Sequence, residues 1–277
     1  MALAPVPKQT PTLLDPDSEP DQDELDGDGT EGRMSFLEHL DELRKRIIHA
    51  IGALFGGFVI AYVFVDYLFA FVMTPMQAAL QEDQTLIYTN APEKFILDIK
   101  IALIAGLVLA SPVVMFQVWR FIAPGLYVKE KTWAIPFVAM SSTCFVSGVA
   151  FSHYIVFPFA WTFFATYGAN TDILTFMPRI EPAFAMYIRL LLAFGIVFEM
   201  PTLVLFLSRM GLLTAGFMVK NFKFFVLLAV VLSAVITPPD VISQLAMTGP
   251  LIVLYGISIG LAWIVGKRRN RIRPYGE

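Results

Sequence analysis

The sequence is poor in charge, in cysteine and in histidine, and each shortage excludes a class of protein. Charged residues make up 16% of its 277 residues, against about 25% in a typical soluble domain. Together with 57% hydrophobic residues, this argues against a disordered chain, a nucleic-acid binder and a soluble enzyme. One cysteine and three scattered histidines give no internal disulfide and no metal-ligand spacing. The sequence therefore predicts no metal site and no nucleic-acid partner.

The charge that is present is unevenly distributed. Residues 1–32 hold nine of the 23 acids and one base, Lys8, and have no hydrophobic period. Such a segment cannot bury enough apolar surface to offset the entropy lost on ordering. We predict a disordered acidic tail over 1–33, a membrane domain over 34–266 and a basic tail over 267–277. The acidic run Asp15–Asp28 is either solvated or a contact for a basic partner.

Six apolar segments predict an all-α integral membrane protein. A helix needs about 20 residues to cross the hydrocarbon core, and the first four segments meet this length. The segments are Ile47–Phe71, Ile96–Val118, Trp133–Val156, Ala183–Leu207, Phe224–Ile236 and Val241–Val265.

The last two spans are predicted to be short. The fifth segment is brief, and the sixth starts with polar residues, so its strongly apolar part is Leu251–Val265. Between them Thr237, Pro238, Pro239 and Asp240 cannot continue a helix. We expect a short hairpin that spans thinned lipid or packs against partners.

Basic residues predict the orientation. With the N-terminus inside, the inner loops carry fifteen lysines and arginines. The outer connections carry Lys94 and Arg179, with Lys100 near the boundary. Both termini are therefore expected in the cytoplasm. Phe157–Gly168, apolar but too short to span, is predicted to be an amphipathic helix on the outer interface.

One motif typical of enzymes is present, but the residues around it do not fit an active site. Gly256–Gly260 matches G-x-S-x-G, but it lies inside an apolar helix without a histidine in reach. The same glycines, and Gly52 with Gly56, have the G-x-x-x-G spacing that permits close helix packing. No nucleotide motif is visible. The sequence supports neither an enzyme nor a cofactor.

Carboxylates near the membrane are the informative residues. Glu42 lies on an amphipathic segment before span one, beside Arg44–Arg46. It either forms an i,i+4 pair with Arg46 on a solvated face or receives a cationic ligand at the lipid boundary. Glu130, the acid of the loop between spans two and three, either pairs with a neighbouring lysine or serves the same ligand.

Glu199 lies well inside span four, where a carboxylate is costly and is a functional hypothesis by default. It is either a protonated structural residue, bonded to a neighbouring helix, or a residue of assembly or transport. Its depth predicts a place in a groove facing the bundle interior or a partner helix. Arg189 of the same span can snorkel, and we assign it no role.

Four motifs, in order along residues 34–265, together resemble the TatC family, the receptor subunits of the twin-arginine protein translocase. They are Phe36–Arg46, Phe121–Tyr127 with Glu130, Phe198–Pro201 and Thr237–Gln244.

The resemblance implies a cup-shaped six-helix bundle in the bacterial inner membrane. It implies that Glu42 and Glu130, with Arg44 and Phe121, bind the paired arginines of signal peptides on folded substrates. Spans five and six, with Thr237 and Gln244, match the face for the single-span subunits TatA and TatB. Self-association in a larger complex and transport driven by the proton-motive force are also implied. The competing hypothesis is a proton-coupled secondary transporter that uses Glu199.

Overall fold

The structure, a computed structural model, describes residues 36–80, 85–122, 134–169, 177–237 and 241–272. The chain divides into two units, residues 1–41 and 42–277. In the first unit the description covers the opening turns of helix α1. The helices within the described ranges are α1 Phe36–Val63, α2 Val65–Ala78, α3 Glu93–Ile122, α4 Ala134–Phe151, α5 Phe157–Ala169, α6 Ile180–Val197, α7 Met200–Met210, α8 Ala215–Lys220, α9 Phe222–Ile236 and α10 Val241–Ile272.

Five helical stretches are long and apolar enough to cross a membrane, and α9 is a shorter apolar helix. With α9 they reproduce the six predicted segments, so the prediction of an all-α, multi-pass membrane protein is confirmed. The five stretches are His39–Val63, Glu93–Phe121, Ile135–Tyr167, Ile180–Met210 and Val241–Gly266.

The first span ends earlier than predicted. Helix α1 runs without interruption from the amphipathic segment into the membrane, and it stops at Val63. Phe64 leaves helical geometry, with φ −104° and ψ 19°, and α2 begins at Val65. Asp66 lies in the first turn of α2, where the helix dipole favours an acid. The predicted end at Phe71 therefore falls inside a second helix.

The third span continues directly into the segment predicted to lie on the interface. A π-helical turn, Ser152–Val156, joins α4 to α5. Helix α5 forms as predicted, but one of its faces is buried: Phe157 is 0% and Trp161 is 5% exposed. The Trp161 indole N–H donates to the carbonyl of Met76 at 3.0 Å, which ties α5 to α2.

The sixth helix is not short, and that prediction is wrong. Helix α10 has 32 residues, whereas α9 has 15. Hydropathy discounted the polar start of α10, but its polar groups bond to α9. The Gln244 amide donates to the carbonyl of Val230 at 3.1 Å, and the Thr248 hydroxyl donates to the Ser233 hydroxyl at 3.1 Å. Satisfied in this way, these side chains enter the membrane within a helix.

Two loops are joined at the end of the bundle where α3 and α6 begin. Ile87 forms an isolated parallel bridge with Arg179. Below it Glu93, only 6% exposed, accepts hydrogen bonds from Thr89 and Asn90 and lies 3.5 Å from the Arg179 guanidinium. Polar loop residues thus fix the starts of both spans.

Two glycines set the closest approach of α1 and α3. A Cβ on Gly57 would lie 2.5 Å from the carbonyl oxygen of Gly106, and a Cβ on Gly106 would lie 2.5 Å from the backbone of Phe58. The glycines of the two G-x-x-x-G motifs have open space around them instead. Within the described residues, these motifs therefore do not pack closely against another helix of this chain.

We expect Gly57→Ala to lower the free energy of unfolding by about 1–3 kcal/mol, because the new methyl overlaps backbone that cannot move easily. The measurement is the midpoint of thermal unfolding of the purified protein in detergent.

Gly56→Ala is the matched control, one residue away in open space. It should leave the midpoint unchanged or raise it slightly, since alanine favours a helix over glycine. Equal midpoints for the two alanine variants would contradict the assigned crossing point.

Candidate functional site

Glu42 is partly buried and half-paired on the first helix. Its Oε1 accepts a hydrogen bond from Arg46 Nη2 at 2.8 Å, one helical turn away. The two side chains are 17% and 18% exposed. Among the residues the structure describes, Glu42 Oε2 and Arg46 Nε are buried without a hydrogen-bond partner. One carboxylate oxygen is thus used by a guanidinium and the other is left over.

Phe121 and Glu42 lie at the same end of the bundle. Helix α3 returns across the membrane that α1 crosses, and the two helices meet at Gly57 and Gly106. From that crossing Glu42 and Phe121 are the same number of residues away, about 22 Å along each axis. The topology therefore places Glu42 and Phe121 at about the same height along the bundle axis.

Of the other two predicted binding residues, Arg44 is described by the structure and Glu130 is not. Arg44 is exposed on α1. Glu130 lies outside the described residues, as do Pro238, Pro239 and Asp240.

Glu199 lies at a break in the fourth span, between α6 and α7. Pro201 follows in the first turn of α7, and its missing N–H interrupts the helical ladder. The Glu199 side chain is 9% exposed and accepts a hydrogen bond from the Ser141 hydroxyl of α4 at 2.6 Å. The predicted place in the bundle interior, with a hydrogen-bond partner, is confirmed.

Two buried polar atoms near the break lack hydrogen-bond partners among the described residues. Glu199 Oε1 and the Thr202 hydroxyl oxygen are both buried, and neither has a hydrogen-bond partner within the described ranges. An unpaired buried carboxylate oxygen is costly. The site can therefore accept a further donor from a proton, a water or a neighbouring helix.

Thr237 and Gln244 bond within the α9–α10 hairpin. The Thr237 hydroxyl, on a residue 6% exposed, donates to the carbonyl of Ser233 at 2.7 Å. The Gln244 amide reaches Val230, as described above. Gln244 thus ties α10 to α9, and Thr237 closes the last turn of α9.

Sequence reasoning missed Ser141 and the buried pair of His153 and Tyr187, whose ring nitrogen and hydroxyl are 3.0 Å apart. Ser141 stands first in a run of three hydroxyl residues, and nothing in the run distinguishes it.

Across the described residues, no group of three or more His, Cys, Asp or Glu side chains could hold a metal ion.

The sequence is similar to TatC proteins over most of its length. The family model for the Sec-independent protein translocase protein TatC matches residues 38–250. The TatC protein of Desulforapulum autotrophicum is 41% identical over 240 residues, covering 87% of this chain and 88% of that protein. The TatC protein of Koribacter versatilis is 40% identical over 244 residues, 87% and 89% of the two chains.

A solved structure agrees with these relatives. The crystal structure of a twin-arginine translocase receptor, TatC, is 37% identical and superposes with a TM-score of 0.73, covering 82% of this chain and 99% of that one. Sequence and fold thus agree over most of the chain, which belongs to the TatC family of Sec-independent protein translocase proteins.

Proposed function

We propose that this TatC chain binds the paired arginines of export signal peptides at the end of the bundle that carries Glu42, with Glu130 as the second acid. The observation that carries the proposal is the half-used carboxylate of Glu42. One oxygen already accepts a guanidinium N–H from Arg46, and the other has no partner among the described residues.

The chemistry suits an arginine ligand. Guanidinium stays charged at any working pH and matches a carboxylate with a planar fork of donors. Arg46 shows which cation this carboxylate accepts, and an incoming arginine would exchange with it or share Glu42. A partly buried carboxylate has fewer competing waters, so the pair is stronger than on an open surface.

A second acid would make the site selective for two arginines. Glu130 follows Phe121 in the chain, after α3 ends at Ile122, and Phe121 lies at the level of Glu42. Arg44, exposed on the same turn of α1, would orient the peptide around the pair. A single arginine could satisfy one of the two carboxylates but not both.

Glu199 serves a later step in this proposal. The 11 residues of α7 separate it from the inner end of its span by about 16 Å. That depth is too great for one arginine pair to reach both Glu199 and Glu42. We assign Glu199, with its unused oxygen, to translocase assembly or transport.

The apolar face of α9 is the proposed contact for single-span partners, TatA and TatB. Its exposed residues recur at helical spacing and form one stripe: Phe224, Leu227, Leu228, Val231 and Val235. Because α9 has only 15 residues, a companion helix would relieve the mismatch with the bilayer. Gln244 then holds α9 against α10, and Thr237 closes the last turn of α9.

The proposed setting is the bacterial inner membrane, with both termini in the cytoplasm. The strong excess of lysine and arginine in the loops at the Glu42 end supports this orientation.

The proton-motive force would drive transport, since each charge that crosses the membrane potential carries about 2.3 kcal/mol per 100 mV. We also propose that further copies of the chain join it in a larger complex.

Glu42→Gln and Glu130→Gln should each weaken crosslinking of a twin-arginine signal peptide in membranes, and the double variant should nearly abolish it. Removing one partner from a partly desolvated charge pair costs about 2–5 kcal/mol. A twin-lysine peptide is the ligand control.

Asp41→Asn is the protein control, because Asp41 is an exposed acid on the same turn and should retain full crosslinking. If the two glutamate variants crosslink the peptide as well as the unaltered chain does, the binding assignment is wrong.

Glu199→Ala should retain peptide crosslinking but impair export, and Glu199→Gln should do less harm, because the amide still accepts from Ser141. Ser141→Ala should reproduce part of the defect by leaving both carboxylate oxygens unpaired. Crosslinking and export are measured side by side at equal protein levels.

Ser142→Ala is the matched control for Ser141, since the Ser142 hydroxyl bonds to the carbonyl of Val138 in its own helix. Normal export in the Glu199→Ala variant would reduce Glu199 to a structural residue. Lost crosslinking would instead move it into the recognition site.

A further inference from the structure

Arg189 is a membrane-embedded cation that the proposed function does not use. It lies on α6, within the candidate span Ile180–Met210, about 13 Å beyond Ile180 by helical rise. Its side chain is exposed. In the ranges that the structure covers, its guanidinium forms neither a hydrogen bond nor an ion pair. An arginine within a membrane span is a functional hypothesis by default.

Arg189 lines an open cavity of about 510 Å³ at the Arg179 end of the bundle. Arg179 stands in the same wall, and most of the remaining lining is apolar, including Trp161, Phe164 and Met186. The cavity therefore combines positive charge with a surface suited to hydrocarbon.

The two arginines differ in how their charge is balanced. Arg179 donates to the Thr89 hydroxyl at 2.8 Å and lies 3.5 Å from the Glu93 carboxylate, so its charge is largely compensated. Arg189 has no such partner in the described part of the chain. The cavity thus has an excess of about one positive charge, which a ligand with one negative charge would neutralise.

The level of Arg189 indicates where that negative charge would lie. A span of 31 residues is about 46 Å long, against about 30 Å of hydrocarbon. A centred span would place the Arg189 backbone a few ångströms inside the hydrocarbon boundary. Its long side chain can then snorkel to the headgroups, and Trp161 in the same wall is of a residue type enriched at that interface.

We propose that this cavity binds one anionic phospholipid, with the Arg189 guanidinium on its phosphodiester and an acyl chain along the apolar wall. The fork of guanidinium donors matches phosphate oxygens. The cavity's excess of about one positive charge would be neutralised by an anionic headgroup, whereas a zwitterionic headgroup brings a cation of its own and leaves the excess in place. In the proposed orientation this is a lipid of the outer leaflet.

The test is native mass spectrometry of the purified full chain in detergent, titrated separately with phosphatidylglycerol, phosphatidylcholine and inorganic phosphate. We expect one tightly retained phosphatidylglycerol, weaker binding of phosphatidylcholine and no displacement by inorganic phosphate. Arg189→Gln should weaken retention of that lipid about tenfold or more, as loss of a charge-assisted hydrogen bond predicts. Arg189→Lys should restore part of it.

Lys220→Gln, which removes one positive charge at the opposite end of the bundle, is the control and should leave retention of that lipid unchanged. Equal phosphatidylglycerol binding by the unaltered chain and by Arg189→Gln would overturn the proposal, as would equal affinity for the two lipids. Displacement by inorganic phosphate would indicate a simple anion site and overturn the lipid assignment.

The readout needs neither export nor a signal peptide, so the lipid site and the proposed receptor function fail independently.

Discussion

Polar groups inside the membrane must find partners within the protein, because hydrocarbon offers none. Much of the specific structure of this chain follows from that constraint. Hydroxyls of the spans donate to carbonyls one turn back, as Ser142 does to Val138. Gln244 and Thr248 bond to α9, and this allows α10 to enter the membrane with a polar first third. Glu199 turns to Ser141 of another helix.

The same constraint separates the two carboxylates that matter most. Glu42 lies near the membrane boundary, where a guanidinium from its own helix balances it. Glu199 lies deep, where the balance comes from a neutral hydroxyl and one oxygen stays unpaired within the described ranges. A charged ligand suits the first environment. The second favours proton uptake or a polar group on a neighbouring helix, and so a different step of the same process.

The sequence was sufficient for what depends on composition and on local pattern. Long apolar runs identified the spans, and the cost of a buried acid was enough to place Glu199 in the interior. Features that depend on the rotation of one helix against another could not be predicted from composition or local pattern. Gly56 and Gly57 are adjacent, yet only Gly57 meets α3, since neighbouring positions differ by about 100° around the axis. The choice of Ser141 over Ser142, and the full length of α10, depend likewise on which face meets a partner.

The π-helical turn Ser152–Val156 has a consequence for how this fold can change over time. A π turn contains about one residue more than an α turn, so everything after it lies about 100° behind its position on an uninterrupted α-helix of the same residues. Phe157 and Trp161 reach the core in that rotated setting. If the turn closed as regular α-helix with all its residues kept, both rings would swing away from the core. Loss of one residue from the turn would instead let it close as α-helix with Phe157 and Trp161 still facing the core, so this turn can lose a residue without rotating the helix that follows.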